Sequence, residues 1–371
     1  MLMQPYNAIL QRLESKGRLR NLNVARGADF SSNDYLALAG SDYLRNIACD
    51  ALERGVPVGS GGSRLLRGNH SEHEALEAEA AAFFKAPQVL YFASGFDANQ
   101  AVFATLPQAG DLVLYDALIH ASIHAGMQAG KAKIQSVPHN DIAAFETVIR
   151  HFRATEKSGN IWLVVESLYS MDGDRAPLAE LSALADRYGC FLYIDEAHAT
   201  GVFGANGRGL AAELEGRENA LILHTCGKAL GASGALLCAA KPLIDVLINQ
   251  ARGFIFSTAP APLQAAIVRG SLKALTAEPQ RREKLQALIH HAEHYLQPSG
   301  SQIIPYQIGD NQRAVAMAEA MQNQGFDIRA IRPPTVPFGT ARLRISITLN
   351  VDEAQITRMA EVLKKIANLY E

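Results

Sequence analysis

The stretch "HTCGKALGASGALLCAA", residues 224–240, holds one charged side chain, Lys228. Small residues crowd it, and apolar runs lie on either side. An ammonium group is costly to bury without a partner, which leaves two readings. Lys228 sits at a turn with its head snorkelling to water, or it is kept in a shielded pocket as a reactive amine. Burial favours the neutral amine, the form that makes a Schiff base with an aldehyde.

Other reactive side chains recur just behind apolar runs. Ser94, Gly95 and Phe96 follow "LYFA", Asp116 and His120 follow "LVLY", and Glu166 and Ser170 follow "WLVV". Asp195 and His198 follow "FLYI", and Thr225 and Lys228 follow "ALILH". Asp195 reads as a helix cap or salt-bridge acid, or as an acid paired with a protonated ring nitrogen, which makes that ring an electron sink. "ASGFDANQAV" places small residues before a helical pattern. Ser94 caps such a helix, and the backbone N–H groups there form an anion site to which Thr225 can add a hydroxyl.

"HASIH" sets His120 and His124 one helical turn apart. That spacing is open to a zinc pair, to an imidazole lying flat on a cofactor ring, or to a core histidine. "HSEHE" at 70–74 reads as a solvated helix start. In "ARLRI", strand alternation should point Arg342 and Arg344 to one face. With Arg332 they offer carboxylate forks, or they are solvated charges on an edge strand. "GSGGSR" is not a GxGxxG after a strand, "HTCGKA" lacks two elements of a P-loop, and no GxSxG occurs. A lysine, an acid and an anion site in this order point to pyridoxal phosphate.

These groups need a scaffold that brings strand ends together. From about residue 72 to 252, near-continuous apolar runs ("QVLYFA", "DLVLYD", "KIQSV", "IWLVVES", "CFLYID", "ALILHT", "ALLCAA") alternate with amphipathic stretches. That alternation predicts an α/β fold with a mostly parallel, doubly wound sheet, whose ligands gather at the carboxyl ends of the strands. After about residue 256, long helices flank the short strands "SQIIPYQI", "DIRAI" and "ARLRISITL", which predicts a smaller C-terminal α+β domain. The expected boundaries are 1–44 for an N-terminal helix and extended segment, 45–255 for the large domain and 256–371 for the small one.

The totals narrow the classes. A chain of 371 residues, 48% hydrophobic and 19% charged, has material for two or three soluble domains. A net charge of −2 gives no basic footprint for nucleic acid or anionic lipid. Cys49, Cys190, Cys226 and Cys238 lack CxxC spacing, so neither a disulfide framework nor a zinc knuckle is indicated, a reducing compartment fits, and no metal is expected. Tyr6, Ile9, Leu10 and Leu13 fall at helical spacing rather than in a signal-peptide block, and no apolar run reaches 18 residues. A cytoplasmic protein without membrane partners is expected.

The chain resembles the α-oxoamine synthases, a group of fold-type I pyridoxal-phosphate enzymes. The resemblance is carried by "FSSNDYLAL", "GSGGSRLLRGN", "SGFDANQ", "DEAHATGVFG", "GKALGASGA", "STAPAP" and "IRPPTVPFGTARLRISIT". It implies that Lys228 bonds to the cofactor aldehyde and, once freed, takes the substrate α-proton. Asp195 would hold the ring nitrogen, His120 would stack on the ring, and His198 and Ser170 would lie by its phenolic oxygen. The backbone of Gly95 and Phe96, beside Ser94 and Thr225, would hold the phosphate. Ser257 and Thr258 would reach the phosphate of a neighbouring subunit, which implies a homodimer with shared sites. Arg344 would clamp the substrate carboxylate, with Arg332 its mobile partner and Thr335 nearby. Arg20, or Arg18 in its place, would lie near the acyl substrate. The motif details favour the branch that condenses L-alanine with a pimeloyl thioester in biotin biosynthesis. Members using glycine or serine with another acyl-CoA are the alternative.

Overall fold

The computed structural model describes residues 2–370 apart from Asn23 and Lys157. The described residues fall into two compact units, one from Asn33 to Gln286, the other joining residues up to Ser32 with those from Ala287 onward.

The larger unit is built on seven strands: β1 (Gln88–Phe92), β2 (Leu112–Asp116), β3 (Lys133–Val137), β4 (Ile161–Glu166), β5 (Phe191–Asp195), β6 (Ala220–Thr225) and β7 (Ala235–Ala239). They lie in the order β1-β7-β6-β5-β4-β2-β3, and only β7 runs against the rest. β4 and β7 are buried at every residue, as apolar runs without alternation require. β3 lies at the sheet edge with four exposed residues, and its Lys133 discourages further pairing there.

Helices start where polar caps precede them. In order, α1 (Asp42–Glu53) is capped by Ser41, α2 (Ser71–Phe84) by His70, α3 (Gly95–Thr105) by Ser94 and α4 (Ala121–Ala129) by His120. Residues of α3, α4 and the strands share one core that includes Phe92, Val102, Phe103, Trp162, Tyr193 and Leu223. A Cβ on Gly126 of α4 would stand 2.9 Å from the Asn99 carbonyl of α3, so glycine sets how closely these two helices approach.

In the smaller unit, β8 (Ile303–Gly309), β9 (Arg329–Ile331) and β10 (Ala341–Ser346) form an antiparallel sheet in the order β9-β10-β8. Two-residue strands Ala28–Asp29 and Phe326–Asp327 pair in parallel. The helix Glu353–Tyr370 packs on Asn311–Asn323.

The compact units divide the chain after Ser32 and after Gln286, whereas the pattern predicts boundaries at 45 and 256. Helix α5 (Pro262–Ala277) packs on α1 and α2, where a Cβ on Gly270 would lie 2.9 Å from Ile47, so the segment after 256 begins inside the larger unit. Residues 28–29 are instead tied to the C-terminal part by strand pairing. The "HSEHE" start is a helix start but is not solvated throughout. Glu72 is buried between Arg54 and Arg269, and His73 bonds the Pro260 carbonyl at 2.8 Å. Arg342 and Arg344 are not solvated edge charges, because β10 is the central strand and both are buried.

Candidate active site

At the carboxyl ends of β1, β2, β4, β5 and β6 lies a cavity of about 350 Å³ that brings together Ser94, Gly95, Phe96, His120, Asp195, His198, Thr225 and Lys228. The strand order puts these ends side by side although up to 134 residues of chain separate Ser94 from Lys228.

Lys228 follows β6 in a tight loop closed by hydrogen bonds from Cys226 N–H to the Gly234 carbonyl and from Gly231 N–H to the Lys228 carbonyl, both 2.8 Å. The small residues around it answer close approaches. Gly231 has φ +61°, and a Cβ there would stand 2.4 Å from the Ala39 nitrogen. Lys228 is half-buried, with its Nζ 2.9 Å from Nε2 of His198. The Nδ1 of His198 lies 2.7 Å from the Tyr35 hydroxyl, which donates to Oδ1 of Asn33 at 3.0 Å. With that hydroxyl proton directed at Asn33, Nδ1 is the donor to Tyr35, and Nε2 is the acceptor facing the amine.

Asp195 ends β5 and is buried. Its Oδ1 accepts from the Ala197 N–H and its Oδ2 from Nδ2 of Asn99, both at 2.9 Å. Asn99 also donates to Ser122 Oγ at 2.9 Å and accepts from the Tyr193 hydroxyl. Ser122 in turn lies 2.7 Å from Nδ1 of His120. Nδ1 also accepts the Ser122 N–H, so the ring proton of His120 sits on Nε2. Burial lowers the His120 pKa below its usual value, with Asp195 pulling the other way. A neutral imidazole beside a fixed carboxylate results. The ring of His124 packs edge-on against Tyr115 at 5.2 Å.

The N-terminus of α3 supplies the anion end. Ser94 Oγ caps the Asp97 N–H at 3.1 Å, and Gly95 begins the helix. A Cβ on Gly95 would lie 2.7 Å from Cγ2 of Thr225, so only glycine lets Thr225 stand against this helix end. An acid for a ring nitrogen, an amine for an aldehyde and a helix terminus with a hydroxyl for a phosphate fit pyridoxal phosphate.

Other expected residues stand elsewhere. Ser170 is buried, its N–H bonded at 3.2 Å to Oε2 of Glu166, which lines the cavity. Asp116 is not part of the cavity: it is fully buried and accepts from Nδ1 of His139 at 2.9 Å and from the Leu118 N–H at 2.8 Å. Ser257 and Thr258 are exposed and lie outside the cavity.

The smaller unit has its own groove, of about 620 Å³, where Leu10, Leu13, Leu19 and Ile331 meet Arg18, Arg20, Arg332 and Thr335. Burial lowers the Arg332 pKa below its usual value, and the cations Arg20 and Arg18 add to this. Arg344 does not share this groove. It lies within the sheet, donating to Ser346 Oγ at 2.7 Å two residues along the same strand.

Asn33, Tyr35 and Asn99 escaped the reading of the sequence as site residues. Asn99 carried a usable signal, an amide among the small apolar residues of the buried face of α3. Tyr35 and Asn33 carried none that spacing could reveal.

Residues 26–363 match the aminotransferase class I and II family. An 8-amino-7-oxononanoate synthase of Anaeromyxobacter dehalogenans is 40% identical over 371 residues, covering 94% of this chain and 92% of that protein. One from Dechloromonas aromatica is 40% identical over 364 residues, covering 95% and 92%. Among solved structures, a serine palmitoyltransferase from S. paucimobilis, with a bound PLP-myriocin aldimine, superposes with a TM-score of 0.88 at 26% identity over 99% of this chain and 98% of that one. The 8-amino-7-oxononanoate synthase of Francisella tularensis gives 0.77 at 26% identity over 93% and 99%. No helix among the described residues is long and apolar enough to cross a membrane. With a family match over most of its length and relatives at this identity, the chain belongs to the class I and II aminotransferase family, in the company of the 8-amino-7-oxononanoate synthases.

Proposed function

We propose that this pyridoxal-phosphate acyltransferase joins L-alanine to a pimeloyl thioester, on coenzyme A or a carrier protein, giving 8-amino-7-oxononanoate, CO2 and a free thiol for biotin biosynthesis. The observation that carries this reading is the convergence of Lys228, His198 and the doubly hydrogen-bonded Asp195 in one cavity. When bound, the cofactor withdraws electrons from the α-carbon of a bound amino acid.

The chain's own residues do the rest. Lys228 Nζ takes and returns the α-proton, and His198 orients that amine through Nε2. Asp195, held in place by Asn99 and the Ala197 N–H, would hold the ring nitrogen. His120 would stack on the ring, and Ser170 with His198 would lie by its phenolic oxygen. The Gly95 and Phe96 N–H groups and Thr225 hold the phosphate. Arg344 would clamp the amino-acid carboxylate, with Arg332 as its mobile partner. The apolar walls and cationic rim of the groove around Arg20, Arg18 and Thr335 suit a methylene chain ending in a carboxylate. Ser257 and Thr258 complete the site of a second subunit, making a cytoplasmic homodimer.

Purified protein should turn yellow with pyridoxal phosphate, and Lys228→Ala should abolish that colour. L-Alanine with pimeloyl-CoA should release thiol faster than glycine or serine with any acyl-CoA. Faster thiol release with glycine or serine and a different acyl-CoA would favour the neighbouring members of the group.

A further inference from the structure

Glu166 lines the cavity, yet none of the roles above requires it. It ends β4 directly opposite Asp195 of β5, its partner in register. Two carboxylates, 2% and 4% exposed, therefore stand on neighbouring strands. Asp195 has two donors, from Ala197 and Asn99. Glu166 has the Ser170 N–H on Oε2 at 3.2 Å, while its buried Oε1 has no hydrogen-bond partner among the described residues. A buried carboxylate ion needs two or three donors or an opposed cation, and like charges side by side disfavour each other.

We propose that Glu166 keeps its proton in the folded protein and stands as a neutral carboxyl beside Asp195. Burial acts first in this direction and Asp195 second, together holding the Glu166 carboxyl well above the ordinary carboxylate range. The groups that face it are Asp195 from β5, Lys228 from the loop after β6, Asp116 from the end of β2 and the Ser170 N–H. Lys228 and Ser170 work against protonation, and Asp116 adds to it.

Glu166 is thereby a positioning residue. Through Oε2 it holds the loop that carries Ser170, and by staying neutral it adds no second negative charge beside the group proposed to hold a ring nitrogen. The protonation rests on the geometry of the protein itself, whereas its benefit to a ring nitrogen rests on the proposed cofactor chemistry.

The test compares wild-type and Glu166→Gln apo-protein in urea across pH. In the wild type, the unfolded carboxyl ionises above about pH 4.3 while the folded one does not, so stability falls as pH rises. Gln lacks this slope, so the folding equilibrium of E166Q relative to wild type should improve by up to about tenfold per pH unit above that point. Parallel curves, or an E166Q protein that loses ground as pH rises, would overturn the proposal.

A second measurement needs no variant. Apo-protein labelled with carboxyl-13C glutamate should keep an isotope-shifted protonated-carboxyl stretch in its infrared spectrum at about pH 8.5, well beyond the ordinary glutamate pKa. Glu196, whose carboxyl burial pushes up to about 7, is ionised by then. Absence of that stretch would equally overturn the proposal. Because both measurements use apo-protein, failure to take up pyridoxal phosphate would count against the functional reading alone.

Discussion

Asn99 directs one amide hydrogen at Asp195 and the other at Ser122, and it receives the Tyr193 hydroxyl on its oxygen. It thereby fixes both the acid and, through Ser122, the imidazole of His120. Asn99→Leu leaves three buried polar groups short of a partner, and we expect about 2–3 kcal/mol lower stability and at least tenfold weaker uptake of pyridoxal phosphate. Asn99→Asp keeps the shape but adds a carboxyl beside Asp195, and should weaken uptake further. Urea unfolding and titration of the visible band check both.

His139 offers a separate test away from the cavity. Burial opposes its charged form, but bonds to Asp116 and Asp174 win and push it up to about 10. With a raised folded value, its contribution is complete below the ordinary histidine pKa of about 6.5 and is lost as pH rises through about 10. His139→Gln should therefore cost about 2 kcal/mol at neutral pH, less than a fully buried pair because His139 is 27% exposed. The gap between the unfolding curves should close above about pH 10.

At the scale of elements, the end of β6 and the start of α3 must nearly touch for Thr225 and the Gly95 N–H to face one anion. Gly95→Ala places a Cβ 2.7 Å from Thr225 Cγ2. We expect at least tenfold weaker binding of pyridoxal phosphate, with helix stability unchanged or slightly improved, since alanine favours a helix more than glycine does. Thr225→Ser removes the clashing methyl and keeps the hydroxyl. The double variant should recover most of the lost affinity in the same titration, and a double variant no better than Gly95→Ala would show that the clash is not the cause.

At the scale of the whole molecule, the shared-site proposal predicts complementation. Lys228→Ala and a Ser257→Ala/Thr258→Ala double variant should each be impaired alone. After subunits of the two are mixed and exchanged, half the dimers carry one intact site, so thiol release should rise to about a quarter of the wild-type value. No recovery, once exchange is demonstrated by differently tagged subunits, would place Ser257 and Thr258 outside any shared site.

The order of apolar runs and the polar residues behind them sufficed to predict the sheet, the strand ends as the site, and the grouping of Lys228, Asp195, His120 and Thr225. This works because near-continuous apolar strands between amphipathic stretches admit few topologies, and each strand end is local in sequence. Tertiary structure alone decided the rest. Asp116, equally placed behind a strand, turned away to His139 because His139 follows the adjacent edge strand β3. Arg342 and Arg344 became buried because β9 and β8 flank β10 on both sides, a pairing that alternation cannot reveal. Asn99 and Tyr35 reached the site through hydrogen bonds to Asp195 and His198, 96 and 163 residues away in the chain, and Asn33 through Tyr35. Whether a polar side chain serves chemistry or a neighbour depends on which donors and acceptors folding sets within about 3 Å of it, and sequence spacing does not encode that.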